Sequence, residues 1–279
     1  MKLLFSETRS DYGRYVYPYV IWAIPEAGET AADCYERGFL PASPELGAFY
    51  LCRNLRVNLG EFSLTSENRR ILRKNPGLEG RLIPRAEFDY TPERRGAWRT
   101  FADERFGVGV MPFERLDRLM NGAVISHLLS FVETETGGEV GNALLYVEAP
   151  RVAHYYYAFY DLGWRDRSLG LWMMTWAVRH FAGLGFRHLH LGTCYSRRAL
   201  YKTQFRGTEF FNGNCWGTNI EELKFLLARE EQSPSDRHLL DNPAYLAWFY
   251  EEELARLVER SEFRLTPAPH PRGGAAIEE

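Results

Sequence analysis

The residues that could do chemistry are concentrated between Asp161 and Trp216. The turn Arg165-Asp166-Arg167-Ser168-Leu169-Gly170 runs directly into a long apolar segment. If that segment is a helix capped by Ser168, the first backbone N–H groups, on Leu169 and Gly170, lie unpaired at the positive end of the helix dipole. There they can bind an anion or a polarised carbonyl oxygen. An ordinary capped helix is the alternative. Downstream come Tyr195 and then Tyr201-Lys202-Thr203-Gln204-Phe205-Arg206. Helical spacing would set Tyr201 beside Phe205 and Lys202 beside Arg206. That mixture suits a nucleotide end, because rings stack on bases and cations pair with phosphate. An aromatic core face with a solvated cationic face fits the same spacing. Asp161, ending the preceding strand, can orient or deprotonate an amine, or cap a turn.

A second cluster is Asn68-Arg69-Arg70-Ile71-Leu72-Arg73-Lys74, four cations around two apolar residues that can dock inward. It is a solvated helix face or a patch for a phosphate backbone. Of the seven histidines, His188 and His190 alternate on one strand with no carboxylate or thiol at ligand spacing, which reads as structural. No GxSxG elbow, Walker loop or GxGxxG fingerprint appears, which disfavours serine hydrolases, P-loop enzymes and dinucleotide-binding oxidoreductases.

These groups must be positioned by strands and helices legible in the pattern. An aromatic strand over residues 12–22, a short helix over 31–37, and strands over 48–52 and 55–59 are predicted. A helix over 63–74 follows, capped by Ser63 or Thr65 and stopped by Asn75-Pro76-Gly77. Helices are predicted over 98–106 and 113–120, then three strands over 126–133, 143–148 and 153–160. The segment 169–183, apolar on nearly all sides, predicts a buried helix, followed by a strand over 188–191. A strand meander entering a strand–helix–strand crossover is mixed α/β, the element order of GNAT acyltransferases. Amphipathic helices are predicted over 220–231 and 245–260, and a disordered tail beyond Pro267.

Composition sets the limits. The 279 residues carry 34 Lys+Arg against 37 Asp+Glu, so a nucleic-acid partner would have to use a local patch. Cys34, Cys52, Cys194 and Cys215 form no CxxC pair and read as reduced thiols of a cytoplasmic protein. The apolar run Met1–Phe5 is cut short by Ser6-Glu7-Thr8-Arg9, and no uncharged stretch is long enough to span a bilayer. Neither a leader nor a membrane partner is expected. A monomer is expected.

Several stretches, taken together, resemble the arginyl-tRNA–protein transferase family with its bacterial leucyl/aspartyl-type relatives. Phe62-Ser63-Leu64-Thr65-Ser66-Glu67-Asn68-Arg69-Arg70-Ile71-Leu72-Arg73-Lys74-Asn75 is similar to F-x-P-S-x-x-Q-R-R-x-L-R-[KR]-N. Tyr156-Tyr157-Ala158-Phe159-Tyr160-Asp161 resembles Y-x-F-Y-D-P, and Arg167-Ser168-Leu169-Gly170 resembles R-S-L-G. His190-Leu191-Gly192-Thr193-Cys194-Tyr195 resembles Y-L-G-Y-x-I, and Tyr201-Lys202-Thr203-Gln204-Phe205-Arg206-Gly207-Thr208-Glu209 resembles Y-K-x-x-F-R-P-x-E. The chain departs from the pattern at Leu162, in place of Pro, and at Thr193, in place of Tyr. Where the family carries a cysteine-rich cluster, only Cys52 stands.

The resemblance implies a GNAT-like domain that moves an aminoacyl group from charged tRNA to a protein's N-terminal amine. It implies an N-terminal aminoacyltransferase-like region over 1–75, a transferase domain over 76–218, a helical extension over 219–265 and a tail over 266–279. Asp161, Tyr195 and Tyr201 are then the catalytic candidates. Ser168, Leu169, Gly170, Lys202, Phe205 and Arg206 would bind substrate, and Arg69, Arg70, Arg73 and Lys74 would bind tRNA. With the cysteine cluster missing no metal is expected, and no cofactor beyond charged tRNA as co-substrate. An acetyl-CoA-dependent acetyltransferase and a catalytically silent peptide- or RNA-binding module are the rival readings.

Overall fold

The computed structural model describes residues 1–7, 19–231 and 239–263. The chain forms two compact units, Met1–Ser235 and Asp236–Glu279. The larger holds two sheets. Strands β1 (Lys2–Glu7), β2 (Tyr19–Ile24), β3 (Phe39–Pro41) and β4 (Phe49–Leu51) form an antiparallel sheet in the order β1-β2-β4-β3, with α1 (Ala31–Glu36) inserted between β2 and β3.

The second sheet has eight strands: β5 (Asn54–Asn58), β6 (Leu78–Pro84), β7 (His127–Glu133), β8 (Glu139–Glu148), β9 (Val152–Tyr160), β10 (His188–Thr193), β11 (Thr208–Phe211) and β12 (Trp216–Gly217). Their order is β12-β11-β5-β10-β9-β8-β7-β6. β7, β8 and β9 form the expected meander, and α5 (Leu169–Gly183) carries the chain across to β10, which runs parallel to β9. β5 lies between β11 and β10, so this sheet draws strands from both sides of the boundary expected at residue 75.

Helices cover both faces. α3 (Pro92–Arg105) and α4 (Phe113–Asn121) place Trp98, Phe101, Leu116 and Met120 in one cluster with Leu128, Leu144 and Phe159 of the sheet. Trp98 stacks on Phe159 at 5.0 Å and donates its indole N–H to Asn142 Oδ1. On the opposite face α5 sets Trp172 and Trp176 edge-on to Phe131 of β7. Much of the aromatic excess is thus core. α2 (Ser66–Arg73) lies against α5. Thr65 caps it, accepting from Asn68 N–H while the Asn68 side chain accepts from Thr65 N–H. α6 (Ile220–Glu231) ends the described part of this unit.

In the smaller unit the helix expected over 245–260 is two helices, α7 (Pro243–Tyr250) and α8 (Leu254–Arg260). The break falls at Glu251 and Glu252, whose φ angles of 53° and 65° are left-handed and incompatible with helix continuation. Charge alternation across 251–253 concealed that stop. Residues 12–18 of the first expected strand and the tail over 266–279 lie outside the described residues.

Candidate functional site

β9 and β10 pair only over Val152–His154 and His188–His190. Beyond that point β9 bulges at Tyr156 and stays with β8, while β10 shifts register between His190 and Gly192 and stays with β5. The two parallel strands therefore part. The chain emerging from β9 makes a 3₁₀ segment over 162–167 and enters α5, whose N-terminus closes one end of the opening.

Ser168 is the N-cap residue of α5, but its side chain makes no cap. It is left-handed, φ 56° and ψ 41°, and only its carbonyl enters the helix, accepting from Leu171 and Trp172. A non-glycine residue held there costs about 1–3 kcal/mol and needs support. The support comes from the end of α2: Lys74 Nζ donates to Ser168 Oγ at 2.9 Å, Asn75 Nδ2 donates to the Arg167 carbonyl at 3.1 Å, and Trp172 Nε1 donates to the Leu72 carbonyl at 3.1 Å. The N–H groups of Leu169 and Gly170 have no partner among the described residues. An ammonium and two open N–H groups thus share one helix end, which favours an anion or a developing oxyanion.

Gly170 is required by the phenol beneath it. A Cβ there would lie 2.7 Å from Tyr160 Cε1 and 2.8 Å from Cζ and the hydroxyl. Gly170→Val is expected to lower stability by about 1–3 kcal/mol by forcing Tyr160 aside, against the helix-propensity gain. Thermal unfolding checks this; an unchanged melting temperature would mean the Tyr160 ring swings away freely.

The remaining sequence candidates divide. The segment expected to be α-helical at 201–206 is a 3₁₀ turn over 197–203 followed by Gln204 as its cap. At three residues per turn Lys202 and Arg206 do not share a face: Arg206 is exposed, whereas Lys202 turns inward and donates to the Thr193 carbonyl at 3.1 Å. Phe205 is 3% exposed and meets Phe62 edge-on, so its ring is spent on the core rather than offered to a base. Tyr201 is 50% exposed, and burial of its phenol with the nearby Tyr160 raises its pKa. Tyr195 accepts the Arg53 backbone N–H at 2.7 Å, tying the end of β10 to the strand beside it. Asp161 spends a carboxylate oxygen on the Gly163 N–H at 2.8 Å, a turn at the strand's end.

On α2, Arg69, Arg70 and Arg73 face solvent. Arg69 donates to the Leu64 carbonyl and Arg70 pairs with Glu67; Arg73 has no partner among the described residues. Lys74 is separated from them, directed at Ser168.

Sequence reasoning passed over three features. His154, within the tyrosine run of β9, receives the Tyr35 hydroxyl at 2.9 Å on Nδ1, and burial depresses its pKa to about 3. Tyr155 is 5% exposed, and its hydroxyl has no hydrogen-bond partner among the described residues. Arg105, whose charge acts on Tyr201, and Arg115, which donates to the Tyr157 hydroxyl at 3.2 Å, have no carboxylate partner among the described residues. Nearby Arg94, Arg95 and Arg99 are each paired with one. Only the His154 alternation with Tyr156 was visible in the sequence.

A meander, a buried crossover helix and two parting parallel strands make this a GNAT-type acyltransferase domain, and a family model described as acetyltransferase (GNAT) domain matches residues 90–207. The chain is 30% identical over 180 residues to the aspartate/glutamate leucyltransferase of Methylorubrum populi, covering 59% of this chain and 71% of that protein. Proteins of the same name from Pseudomonas aeruginosa (26% over 168 residues, 59% and 70% covered) and Chromobacterium violaceum (24% over 190 residues, 66% and 76% covered) also match. The chain belongs to the aspartate/glutamate leucyltransferase family and is a transferase enzyme. Among the described residues no helix is long and apolar enough to cross a membrane.

Proposed function

We propose that this protein transfers an aminoacyl group, leucyl in keeping with the name of its relatives, from charged tRNA to the N-terminal amine of a protein whose first residue is acidic. The observation that carries the reading is the joining of α2 to the α5 N-terminus through Lys74 and Ser168, which puts three solvent-facing arginines and an anion-binding helix end on one continuous support. An aminoacyl ester is already activated. The enzyme must align an amine with its carbonyl, stabilise the oxyanion and move a proton. In this reading the Leu169 and Gly170 N–H groups and the Lys74 ammonium take a terminal phosphate or the carbonyl oxygen. Tyr201 borders the acceptor, and Arg69, Arg70 and Arg73 take backbone phosphates of the tRNA. Arg105 and Arg115, cations without carboxylates of their own, suit an acidic acceptor side chain.

The test is transfer of label from a leucyl-tRNA pool to peptides beginning with Asp, Glu, Asn or Gln. Labelled product with the acidic peptides is expected. No transfer with any charged pool sinks the reading, and thiol release from acetyl-CoA in its place favours an acetyltransferase, the activity in the description of the matching family model. Replacing Arg69, Arg70 and Arg73 together with alanine should leave folding intact and weaken tRNA binding. The slope of log affinity against log salt should fall by about 2, at roughly 0.7–0.9 per lost phosphate contact. An unchanged slope would remove these residues from the tRNA interface.

A further inference from the structure

Lys202 lies where β9 and β10 part. Its Nζ donates to the Thr193 carbonyl, and no carboxylate accepts from it among the described residues. Gly192, at φ 80°, is the residue around which β10 turns away. A Cβ on it would sit 3.8 Å from Lys202 Nζ and 3.9 Å from His154 Nε2, so the missing side chain leaves a gap bordered by the amine and the imidazole. The gap opens at the register shift in β10, beside the strand separation.

The titratable groups acting on this amine are few. From β9 comes His154, buried and neutral; from the end of β10 comes Cys194, a buried thiol. Neither gives the ammonium a fixed counter-charge. The ammonium is buried although part of the stem reaches the surface, and desolvation lowers its pKa to about 8, with Cys194 a smaller opposing influence. A lysine that only bridges two turns gains from staying charged. This one is held in surroundings that favour loss of its proton, with its nitrogen at the edge of an open gap.

We infer that Lys202 is the proton carrier of the transfer reaction, taking a proton from the acceptor ammonium and delivering one to the departing ribose oxygen. The inference rests on the aminoacyl-transfer reading above. In the first step Lys202 Nζ accepts one proton from the acceptor ammonium. The freed lone pair forms the new C–N bond and the carbonyl π pair moves to oxygen. The C–O ester bond then breaks with its electron pair on the ribose oxygen, which takes the proton held by Lys202. Lys202, neutral again, takes the second proton from the new amide nitrogen and passes it to water. One proton is released per transfer, as the conversion of ammonium and ester to amide and alcohol requires. Asp161, occupied by its turn, has no part in this route.

The test compares single-turnover transfer from leucyl-tRNA to an acidic peptide by the wild type, Lys202→Arg and Lys202→Ala. Lys202→Arg keeps a cation and a donor for Thr193 but does not titrate, so a loss of at least about 100-fold in rate with unchanged tRNA affinity is expected. Ethylamine should restore part of the Lys202→Ala rate in labelled peptide, faster for more basic amines. Transfer by Lys202→Arg at the wild-type rate overturns the inference and leaves aminoacyl transfer standing; a wild type inert with every charged tRNA overturns the transfer reading itself. Should both variants misfold, the Lys202 Cε resonance of the wild type decides. A titration midpoint near 8 supports the role, and one above about 10 ends it.

Discussion

Acidification from pH 6.5 to 4.5 is expected to remove about 5–6 kcal/mol of stability through His154 and His188 alone. Both rings are buried at adjoining positions of β9 and β10, and both have pKa values pushed down to about 3 by desolvation, helped for His188 by Arg56 and Arg187. Unfolded, each titrates near 6.5. Between those values the unfolded chain binds a proton that the folded chain refuses. The stability is therefore fully present above pH 6.5 and falls with pH by about 1.4 kcal/mol per unit for each ring. His190 acts in the same direction: its Nδ1 faces Asn54 Nδ2 at 2.8 Å, and its Nε2 is buried without a partner. A loss on this scale is comparable to the whole stability of an ordinary domain, about 5–15 kcal/mol. Urea midpoints across this range check the prediction, and His188→Gln should flatten the pH dependence by roughly one proton. Carboxylates such as Asp33 add acid sensitivity of their own, so the decisive comparison is the variant's slope against the wild type's. Equal slopes would show that His188 is not held neutral by the fold.

The parts legible in the sequence are those whose contacts are near in the chain. The bounds Leu169–Gly183 were readable because a segment apolar on all sides can only be buried, and the meander before it because its turns carry glycine. The site was legible in location but not in roles. Ser168 was read as a side-chain cap, yet its left-handed backbone is imposed by Lys74 and Asn75, which are more than ninety residues away. Lys202 was read as a surface cation because 201–206 has helical spacing; the tighter 3₁₀ turn reverses its direction. His154 gave little signal because its partner, Tyr35, is 119 residues distant. β6, β11 and β12 were missed because their identity as strands depends on pairing with an existing sheet edge rather than on alternation.

Glu209→Ala is expected to cost about 3–5 kcal/mol, the other large effect in this molecule. Arg56 and Glu209 face each other in register on β5 and β11, with Nε and Oε2 at 2.5 Å and side chains only 9% and 14% exposed. The guanidinium also lies 3.7 Å over the Trp216 ring, whose indole N–H donates to the Glu36 carbonyl at 2.7 Å. Removing the carboxylate leaves a buried cation in low dielectric without its main counter-charge, which is the expensive case for a buried pair. Replacing both partners by apolar residues, Arg56→Met with Glu209→Leu, removes the stranded charge and should recover most of the loss. Chemical denaturation of both variants checks this, and a double variant as unstable as Glu209→Ala would show that the arginine's ring contact, not its charge, sustains the strand. The pair also links to the histidines. Arg56 is opposite His190 in the β5–β10 register and pushes the pKa values of His188 and His190 down. The double variant should therefore show a weaker fall in stability on acidification than the wild type. One buried cation thus sets both the electrostatic cost of the central strand and the pH at which the strand beside the candidate site gives way.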